Sequence, residues 1–295
     1  MTRRLIACSA LMMLFSWSAS GADETPATKA ILVDAAGKEV PLAKWTIAFG
    51  TRKLSWTPTP LEVLEVREVN STTFKDGILT FVPLSRLKAI DYDYEKQTIS
   101  VEVAGVMEPV IGSTKFAGVN QVVIEAEANV SGMGVADVKY RGGVVKGGFK
   151  SLKFPDAKAV DTKEDGELYT IQIAEAKGKG ASVVVRGLQP LYQIEKSEKL
   201  IPSLMFKKTL KIDFEKIQKL RIVMPPDKVK MAECEVVTKD GQELGLTLLS
   251  IVPIDGKNAV LIGLVGRVPG GYRLFPMHTI SEFQLGEVKE DKDEK

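Results

Sequence analysis

The sequence predicts an all-β protein, and three observations lead there. Short runs of alternating or β-branched apolar residues recur along the whole chain. No long stretch carries apolar residues at helical spacing, and 25 glycines and 14 prolines punctuate the runs, as in sandwiches and small barrels. A short apolar signature also returns at a nearly constant distance. The 295 residues, 44% apolar and 26% charged, suffice for more than one core and exclude a disordered tail, a collagen-like fibre and a polytopic membrane protein.

The first element is a leader. Met1-Thr-Arg-Arg4 is basic, Leu5 to Trp17 is apolar and Ser18-Ala-Ser-Gly-Ala22 is small, the order of a secretory signal peptide cleaved near Ser20 or Ala22. Its 13-residue apolar run falls short of the ~20 that span a bilayer. Leu5-Ile-Ala-Cys8 has the letters of a lipoprotein box but opens the apolar stretch instead of following it. Thr2-Arg3-Arg4 resembles a twin-arginine start and equally suits a general export signal. The expected product is exported, periplasmic or extracellular, bacterial, and not membrane-spanning after cleavage.

Loss of Arg3 and Arg4 takes the basic count from 40 to 38 against 38 acids, so no global field draws in nucleic acid. Cys8 departs with the leader and Cys234 has no disulfide partner. In Ala232-Glu-Cys-Glu-Val236 the alternation with glutamate places Cys234 on the inner face of a strand, as a buried structural thiol.

Strands are expected at Ala30–Val33, Leu61–Val66, Ile78–Val82, Ile99–Val103, Val122–Ala126, Tyr169–Ile173, Val183–Val185, Ala259–Ile262 and Tyr272–Phe275. The signature places apolar residues three apart in Leu84-Ser-Arg-Leu87-Lys-Ala-Ile90, Phe214-Glu-Lys-Ile217-Gln-Lys-Leu220 and Met277-His-Thr-Ile280-Ser-Glu-Phe283. Gly148-Phe149-Lys-Ser-Leu152 keeps its second half. The last apolar residues, Ile90, Leu152, Leu220 and Phe283, are separated by 62, 68 and 63 positions. That spacing fits one 3₁₀-like turn between strands, each third side chain entering a core. Val33-Asp-Ala-Ala-Gly37-Lys-Glu-Val40 likewise matches Val237-Thr-Lys-Asp-Gly241-Gln-Glu-Leu244, two glycine hairpins that would open the first and last units.

The expected organisation is a signal peptide over 1–22, four five-stranded small-barrel-like units of about 65 residues over 23–95, 96–158, 159–225 and 226–287, and a charged tail over 288–295. Units of that size are marginal alone, so neighbours are expected to pack in pairs. Two β-sandwiches or propeller blades account for the same period. The plan of strand, glycine hairpin, further strands, short turn and closing strand resembles the Sm-like and SH3-like small barrels, best over residues 230–286. The Sm family resemblance implies RNA binding and ring assembly. Leu264-Val-Gly-Arg267 matches that family's nucleotide-contacting Arg/Lys-Gly pattern only in reverse, so no RNA-binding residue carries over.

Candidate chemistry is sparse, and no catalytic set emerges. His278, the only histidine, takes the slot held by Ser85 and Glu215 in the repeat, which reads as solvent-facing filler. Asp91, Asp93 and Glu95 share one strand face with Glu102 nearby, which makes them a calcium candidate because a hard cation needs several converging oxygens. Lys96 stands where a helix–loop–helix calcium loop requires glycine. Apart from calcium no cofactor is expected. Tyr140, Arg141, Lys146 and Lys150 fall in a glycine-rich stretch of cations and aromatics suited to an anionic polymer, or to lysine-edged strands. Trp45 and Trp56 are candidates for stacking on sugar rings, although Trp45-Thr-Ile-Ala-Phe49 alternates like an inner strand face. Lys177-Gly-Lys-Gly-Ala-Ser182 has phosphate-loop letters in the wrong order and reads as a hairpin turn. The expected function is non-enzymatic binding of a protein or a cell-envelope polymer. The alternatives are an exported hydrolase using carboxylates and a structural scaffold joined through sheet edges.

Overall fold

The structure is a computed structural model that describes residues 29–68, 77–116, 118–130, 132–143, 148–159, 166–174, 179–224 and 231–286. The expected leader, the charged tail, Lys146 and the first two residues of the turn expected at 177–182 lie outside the described residues.

The chain is all-β. The first half supplies β1 (Ala30–Val33), β2 (Glu39–Phe49), β3 (Thr51–Leu54), β4 (Leu61–Arg67), β5 (Leu79–Pro83) and β6 (Leu87–Asp93). It continues with β7 (Thr98–Val103), β8 (Val110–Ser113), β9 (Val122–Val130), β10 (Gly134–Gly142) and β11 (Ser151–Lys153). The second half begins with β12 (Leu168–Ala174), β13 (Lys179–Ile194), β14 (Ser197–Leu200), β15 (Ser203–Phe206), β16 (Leu210–Asp213) and β17 (Ile217–Met224). It ends with β18 (Met231–Thr238), β19 (Glu243–Leu249), β20 (Ile251–Ile254), β21 (Lys257–Val268), β22 (Gly271–Pro276) and β23 (Ile280–Leu285). Helical backbone among the described residues is limited to 3₁₀ turns of three residues, and no helix is long and apolar enough to cross a membrane.

The local cause is the period-2 pattern. In β7 every second residue is buried, and β18 buries Ala232, Cys234 and Val236 while its glutamates face out. The three complete apolar signatures do what their spacing predicts. Leu84–Arg86, Phe214–Lys216 and Met277–Thr279 are single 3₁₀ turns, each closed by the next residue's N–H on the turn's first carbonyl. Pro83 and Pro276 enter two of them with φ near −55°, the value their rings impose. The fourth stretch buries Phe149 and Leu152 but runs directly into β11. The two matched glycine hairpins also share geometry: Gly37 and Gly241 adopt φ of 87° and 85°, which a side chain disfavours. Their N–H groups donate to Asp34 and Thr238 carbonyls at 3.0 and 2.9 Å.

All ladders are antiparallel and form two sheets. One runs β10-β9-β2-β1-β11-β6-β7-β8; the larger runs β16-β15-β19-β18-β17-β23-β12-β13-β21-β22-β5-β4-β3, with β14 and β20 added on β13 and β21. The pairing crosses the boundaries expected at 95/96, 158/159 and 225/226. The strand after each signature does not close on the hairpin that opens its own segment. β6 pairs with β7 and β11, and β11 returns to β1; in the same way β17 pairs with β18 and β23, and β23 returns to β12.

This arrangement places the signature residues face to face. Ile90 is opposite Leu152 in one sheet, and Leu220 is opposite Phe283 in the other. Each pair extends into a row of four: Leu32, Leu152, Ile90 and Val101, then Ile171, Phe283, Leu220 and Val236. All eight side chains have no solvent exposure. β3 to β5, expected within residues 23–95, join the larger sheet through β5 on β22, and Trp56, Phe81, Leu191, Val265 and Leu274 bury that junction.

Cys234 lies in the second core at 2% exposure. Burial pushes its thiol up to about 11, so it stays protonated through the neutral range. Two outcomes follow. Leu220→Ala should lower stability by about 2–5 kcal/mol in denaturant titrations, the cost of a core cavity, with Ile90→Ala comparable. Cys234 should resist thiol reagents until the protein unfolds, and its burial should add stability that is full below pH 9, the ordinary thiol value, and lost as pH rises through about 11. Cys234→Ala would remove that alkaline slope.

Candidate functional site

A cleft of about 360 Å³ opens where the β3–β4 connection meets the larger sheet. Its walls come from four distant parts of the chain. Trp56 sits in the connection, Glu167 and Tyr169 at the start of β12, Phe214 and Glu215 on the 3₁₀ turn before β17, and Arg267 and Tyr272 on the β21–β22 hairpin. Thr57 shapes the connection by donating its hydroxyl to the Thr59 carbonyl at 2.7 Å. On the floor, Gly166 and Gly187 cross so closely that a Cβ on Gly166 would meet Gly187 Cα at 2.9 Å, so only glycine fits there.

The aromatic walls are interlocked. Trp56 meets Tyr272 edge-on at 5.2 Å and Phe81 at 6.3 Å. Tyr169 packs on Phe214 at 5.8 Å and on Phe283 of the buried row at 6.4 Å. Arg267 lies 5.9 Å over the Tyr272 ring, its cross-strand neighbour, and makes no ion pair among the described residues. The indole N–H of Trp56 is buried without a hydrogen-bond partner among the described residues.

The carboxylate best fixed in the cleft is Glu167. It accepts Lys239 Nζ at 2.7 Å and the Tyr169 hydroxyl at 3.0 Å. The bond from Lys239 holds it below the ordinary carboxylate range, with Tyr169 adding to the effect. Burial, reinforced by Glu167, raises the Tyr169 phenol, so it remains a hydrogen-bond donor. An ionised, doubly bonded glutamate is unsuited to act as a general acid, which needs a raised pKa, but is well suited to accept hydrogen bonds.

The aromatic and basic residues singled out from sequence fall in three places. Trp56 enters the cleft wall at 9% exposure. Trp45 packs on Phe154 at 5.0 Å, against the first core. Tyr140 and Arg141 end β10, and Lys150 precedes β11; a backbone bond from Phe149 N–H to the Arg141 carbonyl holds these segments together.

Asp91, Asp93, Glu95 and Glu102 share the β6–β7 hairpin with divided roles. Asp93 accepts the N–H groups of Lys96 and Glu95 at 2.9 and 3.1 Å and pairs with Lys96 Nζ, which together lower its pKa. Glu102 pairs with Lys88 at 2.9 Å. Among the described residues no three acidic, histidine or cysteine side chains converge as metal ligands. Glu167, Glu215, Arg267 and Tyr272 were not selected from sequence, since each sits in a locally ordinary strand or turn.

Comparison of the chain with protein-family models, curated proteins and solved structures gives no match. With Asp93 committed to its turn and Glu102 to Lys88, the melting temperature should be the same in chelator and in millimolar calcium. A rise that grows with calcium concentration would instead identify the hairpin acids as a site.

Proposed function

We propose that the protein is an exported, non-enzymatic binding protein that holds a sugar-containing polymer of the bacterial cell envelope in the Trp56–Tyr272 cleft. The observation that carries this reading is the composition of the cleft: aromatic walls beside a guanidinium with no carboxylate partner among the described residues and a carboxylate held ionised. Aromatic rings suit the apolar faces of sugar rings, and the planar polar groups suit hydroxyl, amide and acidic substituents. The cleft volume lies within the range of small-molecule sites, about 300–1,000 Å³, enough for a short segment of such a chain. The lowered pKa of Glu167 argues against it as the general acid of a carboxylate-based hydrolysis. In the same reading the chain is four related β-units joined as two strand-exchanged pairs, supported by the two matching buried rows.

Trp56 provides the readout. In a Trp45→Phe background, tryptophan emission should shift as soluble peptidoglycan fragments are added, with saturation. Tyr272→Ala and Arg267→Ala should each weaken the fragment by about tenfold, the loss of one stacking or charge-assisted contact of about 1.4 kcal/mol. Unchanged emission would refute the ligand class, and release of new reducing ends would favour the hydrolase.

A further inference from the structure

β10 is the last strand of its sheet, nine residues long and paired only with β9 among the described residues. The direction of its backbone groups follows from two bonds. Phe149 N–H donates to the Arg141 carbonyl from outside the ladder, and the turn bond from Met133 N–H to the Val130 carbonyl closes the hairpin at the Val130–Gly134 pair. Because residues alternate, Val135, Asp137, Lys139 and Arg141 aim their N–H and C=O groups away from β9. Val135 is 72% exposed, and the side chains of Asp137, Lys139 and Arg141 are exposed as well. Arg141 is already engaged by Phe149, so the edge is open from Val135 to Lys139 among the described residues, and an open edge is a template for another strand.

We propose that β10 pairs antiparallel with β10 of a second copy of this chain, about a two-fold axis at Val138. The charges select this occupant and this register. Asp137 stands directly opposite Glu127 on β9 and makes no ion-pair contact among the described residues, Lys44 bonding to Glu127 and acting on Asp137 only through space. Lys139 pairs across the same ladder with Glu125 at 2.6 Å and keeps its remaining ammonium hydrogens for a second carboxylate. An axis at Val138 sets Asp137 against the partner's Lys139 and Lys139 against the partner's Asp137. Moving the axis to residue 137 would oppose the two aspartates, and moving it to residue 139 would oppose the two lysines, both unfavourable across a ladder. The same register brings Ala136 beside the partner's Tyr140 and Val138 beside the partner's Val138 on the half-buried face. Two pairs of outward backbone groups, at Asp137 and Lys139 of each copy, then bond across the axis.

Sedimentation equilibrium of the exported full-length gene product tests this. The wild type should dimerise. Lys139→Asp alone and Asp137→Lys alone should each weaken the dimer by about tenfold or more, since each opposes like charges twice. Mixing the two single variants, or combining both substitutions in one chain, should restore association, which separates charge pairing from misfolding. A wild type that stays monomeric, leaving the edge to a strand from another protein, would overturn the proposal. So would a dimer indifferent to the single reversals, or one that the combined substitutions fail to restore.

Discussion

The structure depends on two rows of fully buried apolar side chains that cross four neighbouring strands each. Leu32, Leu152, Ile90 and Val101 form one, and Ile171, Phe283, Leu220 and Val236 the other. Each fully buried apolar side chain contributes about 1.5–3 kcal/mol relative to exposure, so eight of them outweigh any surface ion pair in the molecule. The middle members come from the strands that follow the repeated signature. The outer members come from strands that open a hairpin. The strand after one signature therefore pairs with the strand after the next, and neither half of a row is complete alone.

The cleft is a consequence of the second row. Tyr169 stands two residues before Ile171, and Phe214 six before Leu220, so packing of the row fixes both aromatics, which touch Phe283 at 6.4 and 5.1 Å. Tyr169 in turn bonds to Glu167, and Lys239, just after β18, bonds to the same carboxylate. The far wall is set by the docking of β5 on β22, which brings Trp56 to Tyr272. A ligand in this cleft would contact both layers of that junction, so binding there should be sensitive to the packing of the row beneath.

The all-β class and the 3₁₀ turns were legible because both are local: strand alternation has period two, and apolar residues three apart close a single turn. The hairpins at Gly37 and Gly241 were legible for the same reason, since their backbone needs glycine at a positive φ. Strand partners were not. A β17 paired with β12 or with β18 buries the same face of Leu220, and nothing within residues 214–224 distinguishes the two. The acidic hairpin was visible as a cluster, but whether Asp93 faces a cation or caps its own turn is decided by the backbone at Glu95 and Lys96. The cleft was invisible apart from Trp56, because its residues lie between positions 56 and 272 and converge only through tertiary pairing.

The exchanged pairing is open to direct measurement by backbone NOEs in solution. The account predicts cross-strand contacts between Leu220 and Phe283 and between Ile90 and Leu152, with Phe283 also reaching Ile171. Contacts from Leu220 to Ile171 and from Phe283 to Val236, without those between the two signature strands, would contradict it.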